Sequence, residues 1–247
     1  MAASPLSKFV YIVTLLATLS SCSAPQKVAA PPDSSSSASP PWTGTATYAP
    51  AEVQEYRGQK LTVRSSLRDN SIAGPQYFDP ENYRLRISGL VDRPLELSYS
   101  EVLAQPAAEK LITLHCVEGW SADLLWTGTL LSGLLDLAGI QDEADTLVFV
   151  CLDGYETSME LSHAINNNII LAWATNGLPL GPENGAPFQV AAEAKWGYKW
   201  AKWVTEIRVY REPGYKGFWE QRGYSIQGDL WEDFAAPIEA APPSEFE

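Results

Sequence analysis

Cys116 closes the apolar run of "LITLHCVEGWSADLLWTG", residues 111–128, and is followed at once by Glu118, Gly119 and Trp120. A thiol in that setting has several chemistries open to it. As thiolate it is a nucleophile or a soft metal ligand; in an exported chain it is half of a disulfide; in an apolar strand it is a small hydrophobe. The chain has three cysteines. Cys151 follows "TLVFV" and reads as a buried packing thiol, so a Cys116–Cys151 disulfide is open but not favoured. Zinc is less favoured still, because His115 and Cys116 are neighbours on a strand and point to opposite faces, with no CxxC or HxxxH spacing beside them. Nothing local supports a Cys–His nucleophile built with the distant His163. The other chemistry-bearing stretch is "AKWGYKWAKW", residues 194–203, where Lys195, Lys199 and Lys202 interleave with aromatic rings. It reads either as a local anion site or as a strand whose aromatic face carries Trp196, Tyr198 and Trp200 at period two, with the lysines solvated.

Charge and composition limit what these residues serve. The 247 residues carry a formal net charge of −13, which opposes extended contact with nucleic acid or an anionic membrane face, so any anion site must be local. With 45% hydrophobic residues and nine Trp, the chain has the material for a large core. Residues 1–21 read as an export signal, in which Lys8 precedes the apolar "FVYIVTLLATL", too short to span a membrane. "LSSC" resembles a bacterial lipobox ending at Cys22, the expected lipidation site. Residues 22–47, rich in Pro, Ser and Ala, are a tether that cannot bury enough apolar surface to order itself. The expected location is the bacterial cell envelope, lipid-anchored and extracytoplasmic, with a folded domain over residues 48–247. A bare cleaved signal and disordered tail is the alternative.

The elements that must position Cys116 follow from periodicity. Tyr83, Leu85 and Ile87 alternate with Arg84, Arg86 and Ser88 as a half-buried strand, and "GLVDRP" turns the chain into "LELSY". A short helix follows over residues 99–104, then a strand at "KLITLHCV". Leu130, Leu131, Leu134, Leu135 and Leu137 recur at helical spacing up to Gly139. "DTLVFVCLDGY" is a strand with a turn at Asp153–Gly154, "MELSHAIN" a short helix, "IILAWATNGLPL" a strand and turn, and "APFQVAA" and "WVTEIRVYRE" further strands. Short strands mixed with short helices predict an α+β domain built on a mixed sheet.

These motifs together carry a family resemblance. "TLHCVEGWS", then "LLWTG" and a Leu-rich helix, resembles the molybdenum-site segment of the sulfite oxidase superfamily, in the group of single-domain oxidoreductases with a molybdopterin-binding domain. "YRLRISGLVDRPLELSYSEV", "DGYETSMEL", "ILAWATNGLPLGPENGAPFQV", "KWGYKWAKWVTEIRV" and the tail "GFWEQRGYSIQGDLWED" continue the likeness in order, over about residues 65–234. More distantly it is similar to the methionine sulfoxide reductase catalytic subunits of bacterial envelopes. The resemblance implies a molybdenum–molybdopterin cofactor, with Cys116 as the protein's ligand to the metal and Glu118 and Trp120 beside it. It implies cofactor contacts from Asn70, His115, Thr157, Asn184, Gln189, Gly197, Tyr198, Lys199 and Lys202, with Lys199 first for the pterin phosphate.

The departures bear on substrate. Relatives often carry Arg where this chain has Gln189. Family sulfite oxidases place an arginine just after the ligand cysteine, whereas Glu118 and Gly119 stand here. A carboxylate beside the metal repels an oxyanion, which points to oxygen-atom transfer on a neutral sulfoxide, N-oxide or similar small or protein-borne acceptor. No haem or iron–sulfur motif accompanies the site, so the electron-transfer partner is expected to be a separate protein or a membrane protein. The signal has Lys8 and no arginine pair, unlike the twin-arginine signals usual for this cofactor. That keeps a second expectation in play: an envelope lipoprotein using the fold as a cofactor-free binding or assembly module.

Overall fold

The computed structural model describes residues 48–234. The signal segment, Cys22, the 22–47 tether and the last residues, 235–247, lie outside them. The strand expected at Leu85 and Ile87 forms as β3 (Arg84–Gly89), its alternate residues fully buried, and "GLVDRP" folds it back antiparallel onto β4 (Leu95–Ser98). Ser98 then caps α1 (Tyr99–Leu103) in a reciprocal box with Glu101, satisfying donors at the helix start that would otherwise be unpaired.

Before this hairpin comes a small ladder of β1 (Glu55–Tyr56) and β2 (Gln59–Lys60). After it, β5 (Ala107–His115) and β6 (Ser121–Leu130) form a long antiparallel pair. The Leu-rich stretch is α2 (Leu131–Ala138), ended by Gly139 at φ 71° with its N–H on Leu135 O, a conformation that favours glycine. Then follow β7 (Thr146–Cys151), β8 (Glu156–Glu160), α3 (Leu161–Asn166), β9 (Ile170–Thr175), β10 (Leu178–Pro179), β11 (Gln189–Ala191) and β12 (Val204–Tyr210).

Two larger sheets result, the first antiparallel throughout and the second mixed. One runs β10-β9-β6-β5, with β11 also on β9; the other runs β4-β3-β12-β7-β8, in which only β3 and β12 are parallel. Leu85 and Ile87, the helix residues Leu103, Leu131 and Leu134, and Phe149, Trp173 and Ile207 from the sheets pack into one apolar cluster. Each such fully buried side chain contributes roughly 1.5–3 kcal/mol. Gly128 marks the point where the β6–β9 register shifts. A Cβ there would lie 2.1 Å from Leu171 O, so only glycine lets the two backbones meet.

Strand β6 was not expected from the sequence, and its burial explains why: Leu124, Leu125 and Trp126 are consecutive and all buried, so no alternation appears. The aromatic stretch at 196–200 is not the strand that its period-two rings allow. Gly197–Lys199 is a single 3-10 turn.

Across the second sheet, Glu206 accepts from the Ser88 hydroxyl (2.9 Å) and pairs with Arg208 (3.1 Å) and Arg86 (3.4 Å). Burial pushes its carboxyl up, but Ser88 and the two guanidiniums outweigh that, and its pKa sits below the ordinary glutamate value. A depressed carboxyl pKa gives stability that is present above the unfolded pKa and lost as pH falls through the folded one. Glu206→Gln should therefore lower stability at pH 7 by about 1 kcal/mol, or about 2–4 °C in thermal midpoint, and the gap should close on acidification below the ordinary carboxylate range. A gap that persists unchanged into acid would show that Glu206 acts by packing alone.

Candidate active site

Cys116 sits on the turn that joins β5 to β6. Its N–H bonds Trp120 O at 2.9 Å, Gly119 N–H bonds Cys116 O at 3.1 Å, and Gly119 adopts φ 81°, so the backbone and a glycine shape this turn without help from the thiol. The sulfur accepts the Glu118 N–H at 3.5 Å. Cys116 is 7% exposed. Burial pushes its pKa up and the Glu118 carboxylate adds to this, while the Glu118 N–H and the Arg68 guanidinium pull the other way; the net shift is upward. Alone, then, the group is a thiol, and it needs a metal cation to hold it as thiolate.

The turn at Gly197–Lys199 packs directly on this one. Trp196 bridges to His115, and a Cβ at Gly197 would lie 3.1 Å from His115 O and 3.4 Å from Cys116 Cα. Gly197 thus serves close approach of two protein segments.

A cavity of about 430 Å³ opens beside Cys116. Among the residues expected at the site, Cys116, Glu118, Trp120, Asn70, Asn184, Gln189, Gly197, Tyr198 and Lys202 line it. His115, Thr157 and Lys199 do not. His115 ends β5 and meets Trp196 through backbone. Thr157 and Lys199 converge instead on Glu220, whose Oε1 lies 2.6 Å from the Thr157 hydroxyl and 2.6 Å from Lys199 Nζ, and Lys199 also donates to Ile226 O. All of this is buried: the Lys199 and Glu220 side chains are 0% exposed. Lys202 is the lysine on the wall, its Nζ between Asp69 Oδ1 (3.1 Å) and Glu183 O (3.0 Å). His163, on α3, lies against Glu193 O and is not part of the lining. Cys116 and Cys151 are both free thiols.

The sequence reading missed Arg68, Asp69, Asp153, Tyr155, Trp219 and Tyr224, all on the wall. Arg68 reaches Glu118 at 3.8 Å across the cavity rim, with both side chains about half exposed or more. Burial pushes the Asp153 carboxyl up and Asp69 adds to this, while the Tyr155 N–H and Lys202 oppose it. Only the tail motif hinted at Trp219 and Tyr224. Nothing in the sequence ties Arg68 to Cys116.

The donor set fits a metal carried by an organic cofactor. Among the described residues no group of three or more His, Cys, Asp and Glu gathers to hold a metal ion, so one thiolate can retain a metal only if the ion arrives with its other donors. The wall also carries buried polar atoms without a partner: Trp120 Nε1, Trp126 Nε1 and Thr175 Oγ1. Buried polar groups are ordinarily hydrogen-bonded, and three orphans on one cavity describe a ligand's contacts. Gln189, also buried, and Lys202, paired with Asp69, place an amide and an ammonium on the same wall.

Comparison with known proteins agrees with this geometry. Residues 72–219 match the family described as oxidoreductase molybdopterin binding domain. The chain is 36% identical over 160 residues to the "uncharacterized oxidoreductase YuiH" of Bacillus subtilis, covering 64% of this chain and 80% of that protein. It is 32% identical over 151 residues to a "putative protein-methionine-sulfoxide reductase subunit YedZ1" of Azospira oryzae, covering 61% of this chain and 57% of that one. With the "protein-methionine-sulfoxide reductase catalytic subunit MsrP" of Campylobacter jejuni it shares 28% identity over 181 residues, covering 66% and 61%. The chain therefore spans less than two thirds of the length of these two reductase relatives. Among solved structures, the sulfane dehydrogenase SoxCD of Paracoccus pantotrophus matches with a TM-score of 0.55 at 24% identity, covering 62% of this chain and 43% of that one, a likeness of fold.

Proposed function

This chain belongs to the oxidoreductases with a molybdopterin-binding domain, within the sulfite oxidase superfamily, and from that membership we propose that it reduces a neutral sulfoxide, with methionine sulfoxide in protein as the favoured substrate. The observation that carries this is the placement of a single buried thiol, Cys116, on a cavity with unpartnered Trp120, Trp126 and Thr175 donors. The molybdenum–pterin group, when bound, supplies two-electron oxygen-atom transfer. Cys116 would hold the metal, Asn70, Asn184 and Gln189 would bond the pterin edges, and Lys202 would face the phosphate.

Charge at the rim supports a neutral substrate. Glu118 opposes an oxyanion, and Arg68 at 3.8 Å offsets Glu118 instead of standing free to bind one. The cavity lining joins the charged Arg68 to the aromatic tail residues Trp219 and Tyr224, a mixed polar and apolar wall that supports a side chain presented on a protein. Two of the relatives carry methionine-sulfoxide reductase names, one as a catalytic subunit, which supports the same substrate and a separate electron-delivering subunit.

Holoprotein given reduced viologen should consume two electrons per methionine sulfoxide, releasing thioether and water, with sulfite a poor electron donor in the reverse assay. Efficient sulfite oxidation with no sulfoxide turnover would overturn the substrate reading. Metal and pterin analysis of protein from its native host separates this reading from the cofactor-free module.

We further propose that Cys22, outside the described residues, is lipidated and holds the domain at a membrane, as the "LSSC" motif and the Pro/Ser-rich tether suggest. Among the described residues no helix is long and apolar enough to cross one. Cys22→Ala should move the protein from the membrane fraction to the soluble fraction. Wild-type protein already soluble after fractionation would exclude the anchor.

A further inference from the structure

Glu220 lies one residue past the family match, on the tail that follows β12. It is fully buried, and one of its oxygens accepts from both Lys199 and Thr157. Each partner belongs to a different element: Lys199 to the turn beside Cys116, Thr157 to β8. Lys199 ends the turn whose Gly197 rests on the Cys116 backbone. Thr157 lies in β8, against which the tail is pressed: Phe218 N–H bonds Glu156 O at 2.8 Å, and a Cβ on Gly217 would lie 2.1 Å from that same oxygen. The tail residue before Glu220 is Trp219, which lines the cavity, as does Tyr224 beyond it. Further bonds run from the tail to the same turn, from Tyr198 Oη to Ser225 O (2.8 Å) and from Trp196 N–H to Gly228 O (2.7 Å).

We propose that Glu220 is a positioning residue for the metal-site thiol: tied to β8 through Thr157, it holds Lys199, and with it the Gly197 turn, against the Cys116 backbone. The inference rests on the molybdopterin reading above. Physically, a buried ammonium requires its counter-ion, because an uncompensated charge at that depth is strongly unfavourable. Removing the carboxylate charge therefore favours arrangements in which Lys199 reaches water, and because Lys199 ends the Gly197 turn, such a rearrangement strains the turn that rests on Cys116. A ligand-bearing turn that shifts by a fraction of an ångström changes the metal's coordination geometry before it unfolds anything.

The test uses holoprotein and two readouts besides activity: pterin retained after dialysis, by fluorescence of the released pterin, and the Mo(V) paramagnetic resonance signal. Glu220→Gln keeps the volume and removes the charge. It should speed pterin loss about tenfold and split the Mo(V) signal into more than one species, with Glu220→Asp recovering part of both. Leu85→Ala, in the apolar core on β3, three strands from β8 in the same sheet, controls for lost stability and should keep the native signal despite a lower melting midpoint. If Glu220→Gln does not fold, Thr157→Val cuts the tie to β8 while leaving the ion pair, and should give the same changes at smaller size. A wild-type signal and wild-type pterin retention in Glu220→Gln, or in Thr157→Val if that is the variant that folds, would overturn the proposal. Wild-type protein from its native host with no molybdenum would instead overturn the reading on which it rests.

Discussion

Cys116→Ser should abolish oxygen-atom transfer and leave the domain folded. The turn that carries Cys116 is shaped by backbone bonds between Cys116, Gly119 and Trp120 and by the left-handed Gly119, none of which uses the sulfur. Serine is nearly the same size and replaces a soft, polarisable donor with a hard one, at a metal whose redox cycling depends on soft ligands. Outer-shell ligand partners typically change affinity or activity 10–100-fold, so loss of a ligand itself should reach about 10³-fold or more. Cys151→Ser is the informative contrast. Cys151 is free, 4% exposed and inside the apolar cluster, and burial holds its thiol pKa far up, so serine there places a hydroxyl in the core and should lower stability by roughly 1–3 kcal/mol with no change in the Mo(V) spectrum. Equal loss of turnover in the two variants would remove the special role of Cys116.

The largest stability effect is expected at Lys199. Lys199→Met leaves Glu220 fully buried without its counter-charge, and removing one partner of a buried ion pair typically costs about 3–5 kcal/mol. For a domain of this size that is on the order of 10 °C in melting midpoint. Adding Glu220→Leu should recover most of the loss, because well-packed apolar residues often replace a buried pair at little net change. Calorimetry of the single and double variants decides the matter. A single variant that melts like wild type would mean that Lys199 is a solvated lysine. A double variant as stable as wild type that also keeps its pterin would exclude the phosphate role that the family resemblance gave Lys199.

Lys199 also shows where sequence reasoning stops. The motif "KWGYKWAKW" offers three cations, and local pattern cannot tell which faces a cavity and which faces a carboxylate. Glu220 stands some twenty positions on, and only the fold of the tail brings it to Lys199. Arg68 and Glu118 are a similar case, joined across the rim from separate segments. What was legible was what is local. Leu85 and Ile87 alternate because β3 has one wet face, and the Leu-rich helix stops at a glycine, whereas Cys116, read as part of a strand, opens the turn just past the end of β5. Strand β6 was illegible because both its faces are buried, which erases the period that marks a strand. The aromatic alternation at Trp196, Tyr198 and Trp200 misled in the opposite sense, since a tight turn containing Gly197 presents the same spacing as a strand.

X-ray absorption at the molybdenum edge tests the central claim most directly, because it counts the sulfur atoms around the metal without reference to any substrate. Wild-type protein from its native host should contain molybdenum with one sulfur neighbour beyond those of the pterin, and Cys116→Ser should retain the metal, at least in part, with that one neighbour replaced by oxygen. Molybdenum with the same sulfur count in both proteins, or wild-type protein without molybdenum, would contradict the assignment of Cys116 as the ligand.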